Sequence, residues 1–281
     1  MEIKAGTLYI VGTPIGNLED MTFRAVSVLQ QVDLIAAEDT RHTGKLLQYF
    51  QVKTPQISHH EHNLITRVPE LIDRLTQGKS IALVTDAGMP CISDPGYELV
   101  RACRDAGVNV VPIPGVTAVV TALAASGLPS ERFTFEGFLP AKGKARAEAL
   151  EGLRSESRTM VFYEAPHRLL EMLGALREAF GGDRGVSVGR ELTKLHEAFW
   201  SGDLAGAIVF FETNEPRGEF TVVVAGADVT LRVLSDDEIA IALQELISGG
   251  MSRSEASKQL SQQLGLGKRQ VYQLALSLEI D

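Results

Sequence analysis

The sequence predicts an α/β protein: two α/β domains with a cleft between them, then a small C-terminal helical module of helix-turn-helix character. Three observations carry this expectation. Short apolar runs alternate with amphipathic stretches over the first 113 residues. Two Gly/Pro-rich loops, Gly12–Asn17 and Thr85–Gly96, each follow an apolar run and precede a helical pattern. From Asp236 onward there is no convincing strand, only three helical stretches punctuated by Gly249-Gly250 and Gly265-Leu266-Gly267.

Thr7–Val11 is short and apolar, the pattern of a strand buried on both faces. Asp20 can cap a helix running to about Gln31, with Phe23, Val26 and Leu29 on one face. Val32–Ala37 reads as a second strand, and the helix after it runs to about Phe50. Ile57–Asn63 reads as a short strand or loop. The next helix sets Leu64, Val68, Leu71, Ile72 and Leu75 at helical spacing, with Pro69 kinking or starting it. Ser80–Val84 is a strand, Tyr97–Ala106 a helix and Val108–Ile113 a strand. Repeated β-α-β-α order means a parallel sheet with helices on both faces. Val116–Ser126, made almost wholly of small apolar residues, reads as a buried helix entering the second domain. Strands are expected there near 133–138, 159–163, 186–189 and 220–225, with a basic Gly/Ala-rich loop at Pro140–Arg146. The expected domains are 1–113, 114–228 and, after a linker at Asp228–Ser235, 236–281, the last with helices at Asp237–Ile247, Ser252–Leu264 and Lys268–Leu278.

At 44 % hydrophobic and 22 % charged, the 281-residue chain has the composition of a globular protein. No apolar run approaches the roughly 18 residues that suggest a membrane span. Met1–Gly6 leads directly into a strand, so no signal peptide is expected, and two cysteines make no disulfide framework. A cytoplasmic protein is the expectation. With a net charge of −9 the chain is not an obvious nucleic-acid binder, so any such binding must come from local basic patches. Lys142, Lys144, Arg146, Arg154 and Arg158 form one; Arg253, Lys258, Lys268 and Arg269 make the last two helices another.

Chemistry-bearing residues cluster after strands, where ligands of α/β sheets bind. His59-His60-Glu61-His62 lacks metal-site spacing, so no metal is expected; His60 is a candidate for hydrogen bonding a polar substrate. Gly12–Asn17 has no Gly-Lys-Ser/Thr and is not a Walker loop. Glu38-Asp39-Thr40-Arg41 fits either a cleft or a helix N-cap with a surface ion pair. Tyr163-Glu164-Ala165-Pro166-His167-Arg168 and Arg190-Glu191-Leu192-Thr193-Lys194 again follow strands. Charged clusters repeated in this position favour a cleft shared by the two domains.

With Gly12–Leu18, Asp86–Gly96 and Pro112-Ile113-Pro114-Gly115, these motifs resemble the tetrapyrrole methylase superfamily in its small-subunit rRNA-modifying branch, over essentially the whole chain. The resemblance implies two α/β domains with S-adenosylmethionine in the cleft, 2′-O-methylation of cytidine 1402 of the 16S rRNA in the small ribosomal subunit, and a homodimer. Cofactor contacts would fall at Pro14, at Val84, Thr85, Asp86 and Ala87, at Thr117 and Ala118, and around Tyr163 and Glu164. Porphyrin-acting members carry Gly-Asp-Pro after the central strand. Here it is Thr85-Asp86-Ala87-Gly88 with the extension Ser93-Asp94-Pro95-Gly96, which favours the rRNA branch.

A ribose hydroxyl attacking a methyl group needs alignment and a proton acceptor. Asp39, Glu61 and Asp86 are the candidate bases. Arg41, Arg168, Arg190 and Lys194 are candidates for phosphate contact or for stabilising developing charge. The alternatives are a methylase of a small tetrapyrrole, for which a basic C-terminal module has no use, and a non-enzymatic RNA-binding assembly factor.

Overall fold

The computed structural model describes residues 2–227, 236–264 and 266–278; the expected linker, Asp228–Ser235, lies outside the described residues. Residues 1–227 make one compact unit and residues 228–281 a second.

The first unit contains two five-stranded sheets. In one, β1 (Thr7–Val11), β2 (Leu34–Ala37), β3 (Gln56–Ser58), β4 (Ile81–Val84) and β5 (Asn109–Ile113) lie in the order β3-β2-β4-β1-β5, every pair parallel. Side chains alternate across a strand, so one face takes Tyr9, Val11, Ile35, Ala82 and Val84 against α1 (Phe23–Gln31) and α2 (Thr40–Tyr49). The other takes Leu8, Ile10, Ile81 and Leu83 against α3 (Leu64–Thr76) and α4 (Tyr97–Asp105). Helix α1 leaves β1 toward one face and α4 leaves β4 toward the other. A crevice therefore opens between the carboxyl ends of these neighbouring strands.

The second sheet is mixed. Strands β6 (Phe133–Phe138), β7 (Thr159–Glu164), β8 (Gly185–Arg190), β9 (Ala198–Asp203) and β10 (Phe220–Val224) lie in the order β6-β7-β10-β8-β9, with only β6 and β7 parallel. One face packs Met160, Phe162, Val186 and Val222 against α6 (Gly143–Leu153), α7 (Leu169–Phe180) and α8 (Leu204–Thr213). Phe162 and Met160 are fully buried, each stabilising the fold by about 1.5–3 kcal/mol. The opposite face packs Val161 and Val223 against α5 (Ala118–Ala125) and against Ile15 from the loop after β1. That isoleucine belongs to the core of the second sheet, so the β1 loop joins the two halves.

Several local expectations change. Asp20 does not cap α1; it ends a short 3-10 turn, Leu18–Asp20, and Thr22 caps the helix by accepting from Ala25 N at 3.0 Å. The buried stripe of α1 is Ala25, Val28 and Leu29, while Phe23 is 98 % exposed. Pro69 lies inside α3, which starts at Leu64. Of Ile57–Asn63 only the start is strand, because β3 ends at Ser58 and Glu61–Asn63 is a 3-10 turn. His59 is buried with neither ring nitrogen hydrogen-bonded, and burial lowers its pKa. The basic stretch is a loop only to Lys142, since α6 begins at Gly143. Helix α5 buries Val119, Ala122 and Leu123 but leaves Val120 exposed.

The second unit is three helices, α9 (Asp236–Ser248), α10 (Arg253–Leu264) and α11 (Lys268–Ser277). Its core pairs residues one turn apart: Ile239 with Leu243, Ala256 with Leu260, Val271 with Ala275. Ser252 and Glu255 form a capping box at the start of α10, each side chain accepting from the other's backbone N–H. Lys258, Lys268 and Arg269 are exposed.

Candidate functional site

The crevice is framed by backbone held at close quarters. Gly12 N donates to Ile113 O at 3.1 Å, and Thr13 and Gly88 exchange two backbone hydrogen bonds at 2.9 and 3.1 Å. The Thr13 hydroxyl donates to Thr85 O at 3.1 Å. A Cβ on Gly12 would stand 2.7 Å from the Cα of Gly115, so only glycine lets the ends of β1 and β5 meet this closely. Loop strain concentrates here too. Cys91 (φ 72°) and Ser93 (φ 64°) sit in the loop after β4, and Glu191 (φ 49°) and Thr193 (φ 66°) in the loop after β8. Non-glycine residues held in this region cost energy and cluster at functional sites.

Between the sheets lies a cavity of about 330 Å³. Its first-sheet wall includes Ala87, Gly88, Met89 and Asp94; Thr117 and Ala118 supply the start of α5; Phe138, Tyr163 and Glu164 supply the second sheet. The lining is mostly carbon, with few polar groups, as in sites for small organic ligands. Burial, and next the Glu38 carboxylate, pushes Asp94 up to about 6. Glu164 is buried with Oε2 unbonded; Oε1 accepts from Ala165 N at 2.9 Å and lies 3.4 Å from Arg168 Nε. Burial raises its pKa against both of those partners. Thr117 caps α5 by accepting from Val120 N at 3.4 Å, and the first-turn N–H groups of a helix favour a ligand carboxylate.

A second cavity, of about 440 Å³, adjoins the first; the two share Ile15, Ala87 and Glu219. Pro14, Thr85, Asp86 and Lys194 line it, together with His42 and Lys45 of α2. Burial, reinforced by Glu38, raises the Asp86 carboxyl. Glu38 itself accepts from the Thr85 hydroxyl at 2.6 Å and from Asp86 N at 3.2 Å. Lys194 Nζ lies 2.9 Å from Glu191 Oε1 and 3.0 Å from Glu219 Oε2. Burial opposes its charge, but the hydrogen bonds and negative charges of these two glutamates together outweigh it and raise its pKa.

The structure thus brings together Pro14, Thr85, Asp86, Ala87, Thr117, Ala118, Tyr163, Glu164 and Lys194 at two adjoining cavities. It places the other sequence candidates elsewhere. Val84 is buried within β4. Asp39 caps α2, accepting from Arg41 N at 2.8 Å, and its carboxylate takes a bidentate contact from the Arg41 guanidinium at 3.1 and 2.6 Å. That contact holds Asp39 far below the usual carboxylate range. Glu61 and His60 lie beyond β3 at the sheet edge, where Asn63 Oδ1 accepts from His60 N at 3.1 Å. Arg190 Nε donates to Arg217 O at 2.8 Å, and Arg168 donates to Leu139 O. The residues not nominated from sequence are Asp94, His42, Lys45 and Glu219. Asp94 stands inside the Gly/Pro-rich motif after β4; Glu219 carries no local signal, because only the pairing of β10 with β7 and β8 delivers it.

Comparison with known proteins places this architecture. The family model described as Tetrapyrrole (Corrin/Porphyrin) Methylases matches residues 7–207. A protein of Synechocystis sp. named Ribosomal RNA small subunit methyltransferase I is 55 % identical over 277 residues, covering 98 % of this chain and 99 % of its own. One of the same name from Pseudomonas aeruginosa is 45 % identical, covering 98 % of both. Among solved structures, cobalt precorrin-4 methyltransferase superposes with a TM-score of 0.61 at 21 % identity, covering 78 % of this chain and 95 % of that one. Uroporphyrin-III C-methyltransferase from Thermus thermophilus gives 0.56 at 24 %, covering 78 % and 94 %. Matched in sequence over both sheets and in fold to solved methylases, the chain belongs to the tetrapyrrole (corrin/porphyrin) methylase family.

Proposed function

We propose that this protein transfers a methyl group from S-adenosylmethionine to the ribose 2′-oxygen of a cytidine, residue 1402 of the 16S rRNA, in the small ribosomal subunit. The observation that carries this is coverage. Relatives named for small-subunit rRNA match 98 % of the chain, whereas macrocycle methylases, nearly whole themselves, match only 78 %. The share left over is comparable to the second unit, which a small substrate has no use for.

The residues of the first cavity fit the donor. A Cβ on Gly12 would stand 2.7 Å from the Sδ of Met89, which lines this cavity, and the start of α5 offers backbone N–H to a carboxylate. Bound there, S-adenosylmethionine supplies an electrophilic methyl and a neutral leaving group. The chain's own task is to orient the acceptor, exclude water and take one proton. RNA contact is assigned to the exposed Lys258, Lys268 and Arg269 and to the stretch around α6. In that stretch Lys144 pairs with Glu148, Arg146 with Glu171, Arg154 with Glu151 and Arg158 with Glu156. The exposed pairs Lys144–Glu148 and Arg154–Glu151 are worth about 0–1 kcal/mol, so phosphate can displace their acids, whereas the Arg146 side chain is only 11 % exposed and also donates to Pro140 O. An rRNA substrate fits a cytoplasmic enzyme, and the same proposal takes the protein to act as a homodimer.

Calorimetry and methyl transfer test the reading together. S-adenosylmethionine is expected to bind the wild-type chain, and Ala118→Trp, which fills the cavity, to abolish binding. Labelled methyl is expected on small subunits lacking the modification and not on a porphyrinogen. Label on the porphyrinogen alone sinks the rRNA assignment; donor binding with no transfer leaves an RNA-binding factor.

A further inference from the structure

Both cavities are walled mainly by carbon, but the second gathers polar side chains from separate segments: Thr13 after β1, His42 and Lys45 on α2, Asp86 after β4 and Lys194 after β8. His42 and Lys45 are three residues apart, hence on one helix face, and both are exposed at the cavity. Lys194 is part of the wall rather than a free cation. Its stem lies against Gly16, where a Cβ would stand 2.3 Å from Lys194 Cγ, and its ammonium is held by two glutamates.

Direction follows from the shared wall. In-line displacement needs the attacking oxygen on the side of the methyl carbon opposite the leaving sulfur. A donor seated in the first cavity with its methyl toward Ile15, Ala87 and Glu219 would meet an acceptor in the second cavity. Asp86, immediately before Ala87, lines the acceptor side; Asp94 lines the donor side.

We propose that the second cavity receives the target ribonucleoside, with Asp86 taking the proton of its 2′-hydroxyl and His42 and Lys45 holding the neighbouring phosphate. This rests on the reading of the protein as a ribose methyltransferase. The step balances: the O–H and S–C bonds break as the O–C bond forms, the sulfonium departs as a neutral thioether, and Asp86 ends protonated. The charged groups facing Asp86 are Glu38 at the end of β2, Asp39, Arg41 and His42 at the start of α2, and Asp94 in the loop after β4. Burial and Glu38 raise Asp86, which makes it a better proton acceptor than a solvated carboxylate.

The test uses full-length Asp86→Asn, Asp94→Asn and Lys45→Ala, small subunits lacking the modification, and three readouts: calorimetric affinity for S-adenosylmethionine, donor-free affinity for subunits, and single-turnover transfer against pH. Asp86→Asn is expected to bind both ligands within about threefold of wild type, to transfer at least about 100-fold more slowly, and to lose the acid limb of the pH profile. Lys45→Ala is expected to leave donor affinity unchanged, weaken subunit binding several-fold and lower its salt slope by about 0.7. Asp86→Asn transferring within tenfold of wild type with the acid limb intact overturns the inference. So does loss of that limb in Asp94→Asn instead. Wild-type protein that binds S-adenosylmethionine yet leaves subunits unlabelled fails the underlying reading as well.

Discussion

Asp94 and Asp33 show how burial and hydrogen bonding push two aspartates in opposite directions. Asp94 is raised to about 6 by burial first and Glu38 second, so its ionised form is disfavoured in the folded state. Between about pH 4 and 6 the folded chain holds more protons than the unfolded one, and stability falls as pH rises. Asp94→Asn is therefore expected to be more stable than wild type at pH 8 by about 2 kcal/mol, the gap closing near pH 4. Chemical denaturation at the two pH values checks it. Asp33 is lowered to about 2, mainly by the N–H and hydroxyl of Ser80, which donate at 2.8 and 2.7 Å. Its contribution is complete above the unfolded value of about 4 and is lost as pH falls through about 2. Asp33→Asn is expected to cost about 1 kcal/mol at pH 7, discounted because the carboxylate is partly exposed, and little at pH 2; urea melts at both pH values decide. At this scale sequence could nominate carboxylates but not rank them. Asp39 and Asp86 both follow strands; what separates them is that Arg41, two residues on, folds back onto Asp39, while Asp86 faces Glu38 across the sheet.

The strand ends and loops of the first sheet were legible as elements, because parallel strands covered on both faces leave uninterrupted apolar runs. The second sheet was harder. Strand β9, Ala198-Phe199-Trp200-Ser201-Gly202-Asp203, is a largely exposed edge whose residues do not alternate cleanly. Helix α5 is uniformly small and apolar, so no period showed which side would be covered. The capacity of the loops to meet rests on glycine. Gly12→Ala would place Cβ against the Gly115 backbone, which cannot swing away as a side chain would. It is expected to destabilise the fold by about 1–3 kcal/mol and to weaken S-adenosylmethionine binding at least several-fold. Thermal melting and calorimetry on the one variant check both. A Gly12→Ala protein with wild-type donor affinity would show that this close approach shapes nothing at the cavity.

Across the whole molecule, the cleft is made by distant pieces. Ile15 and Asn17 of the β1 loop reach the second sheet, Ile15 through its core and Asn17 by donating its N–H to the Thr193 hydroxyl at 3.1 Å. Motifs could mark each rim separately, but sequence alone could not show that one wall serves two cavities. Residues 1–227 form their own compact unit, so a chain lacking 228–281 is expected to fold and bind S-adenosylmethionine normally. Its affinity for small subunits is expected to fall, with a salt dependence shallower by about 0.7 for each phosphate that the truncated chain no longer neutralises. Filter binding across a salt series checks this, and an unchanged slope would assign the helices to folding or self-association. The most direct test of the central claim is nucleoside analysis after transfer of labelled methyl from S-adenosylmethionine to small subunits lacking the modification. Label recovered as 2′-O-methylcytidine from one rRNA position is the expected result. Label on a base, on another nucleoside or nowhere in the rRNA would contradict it.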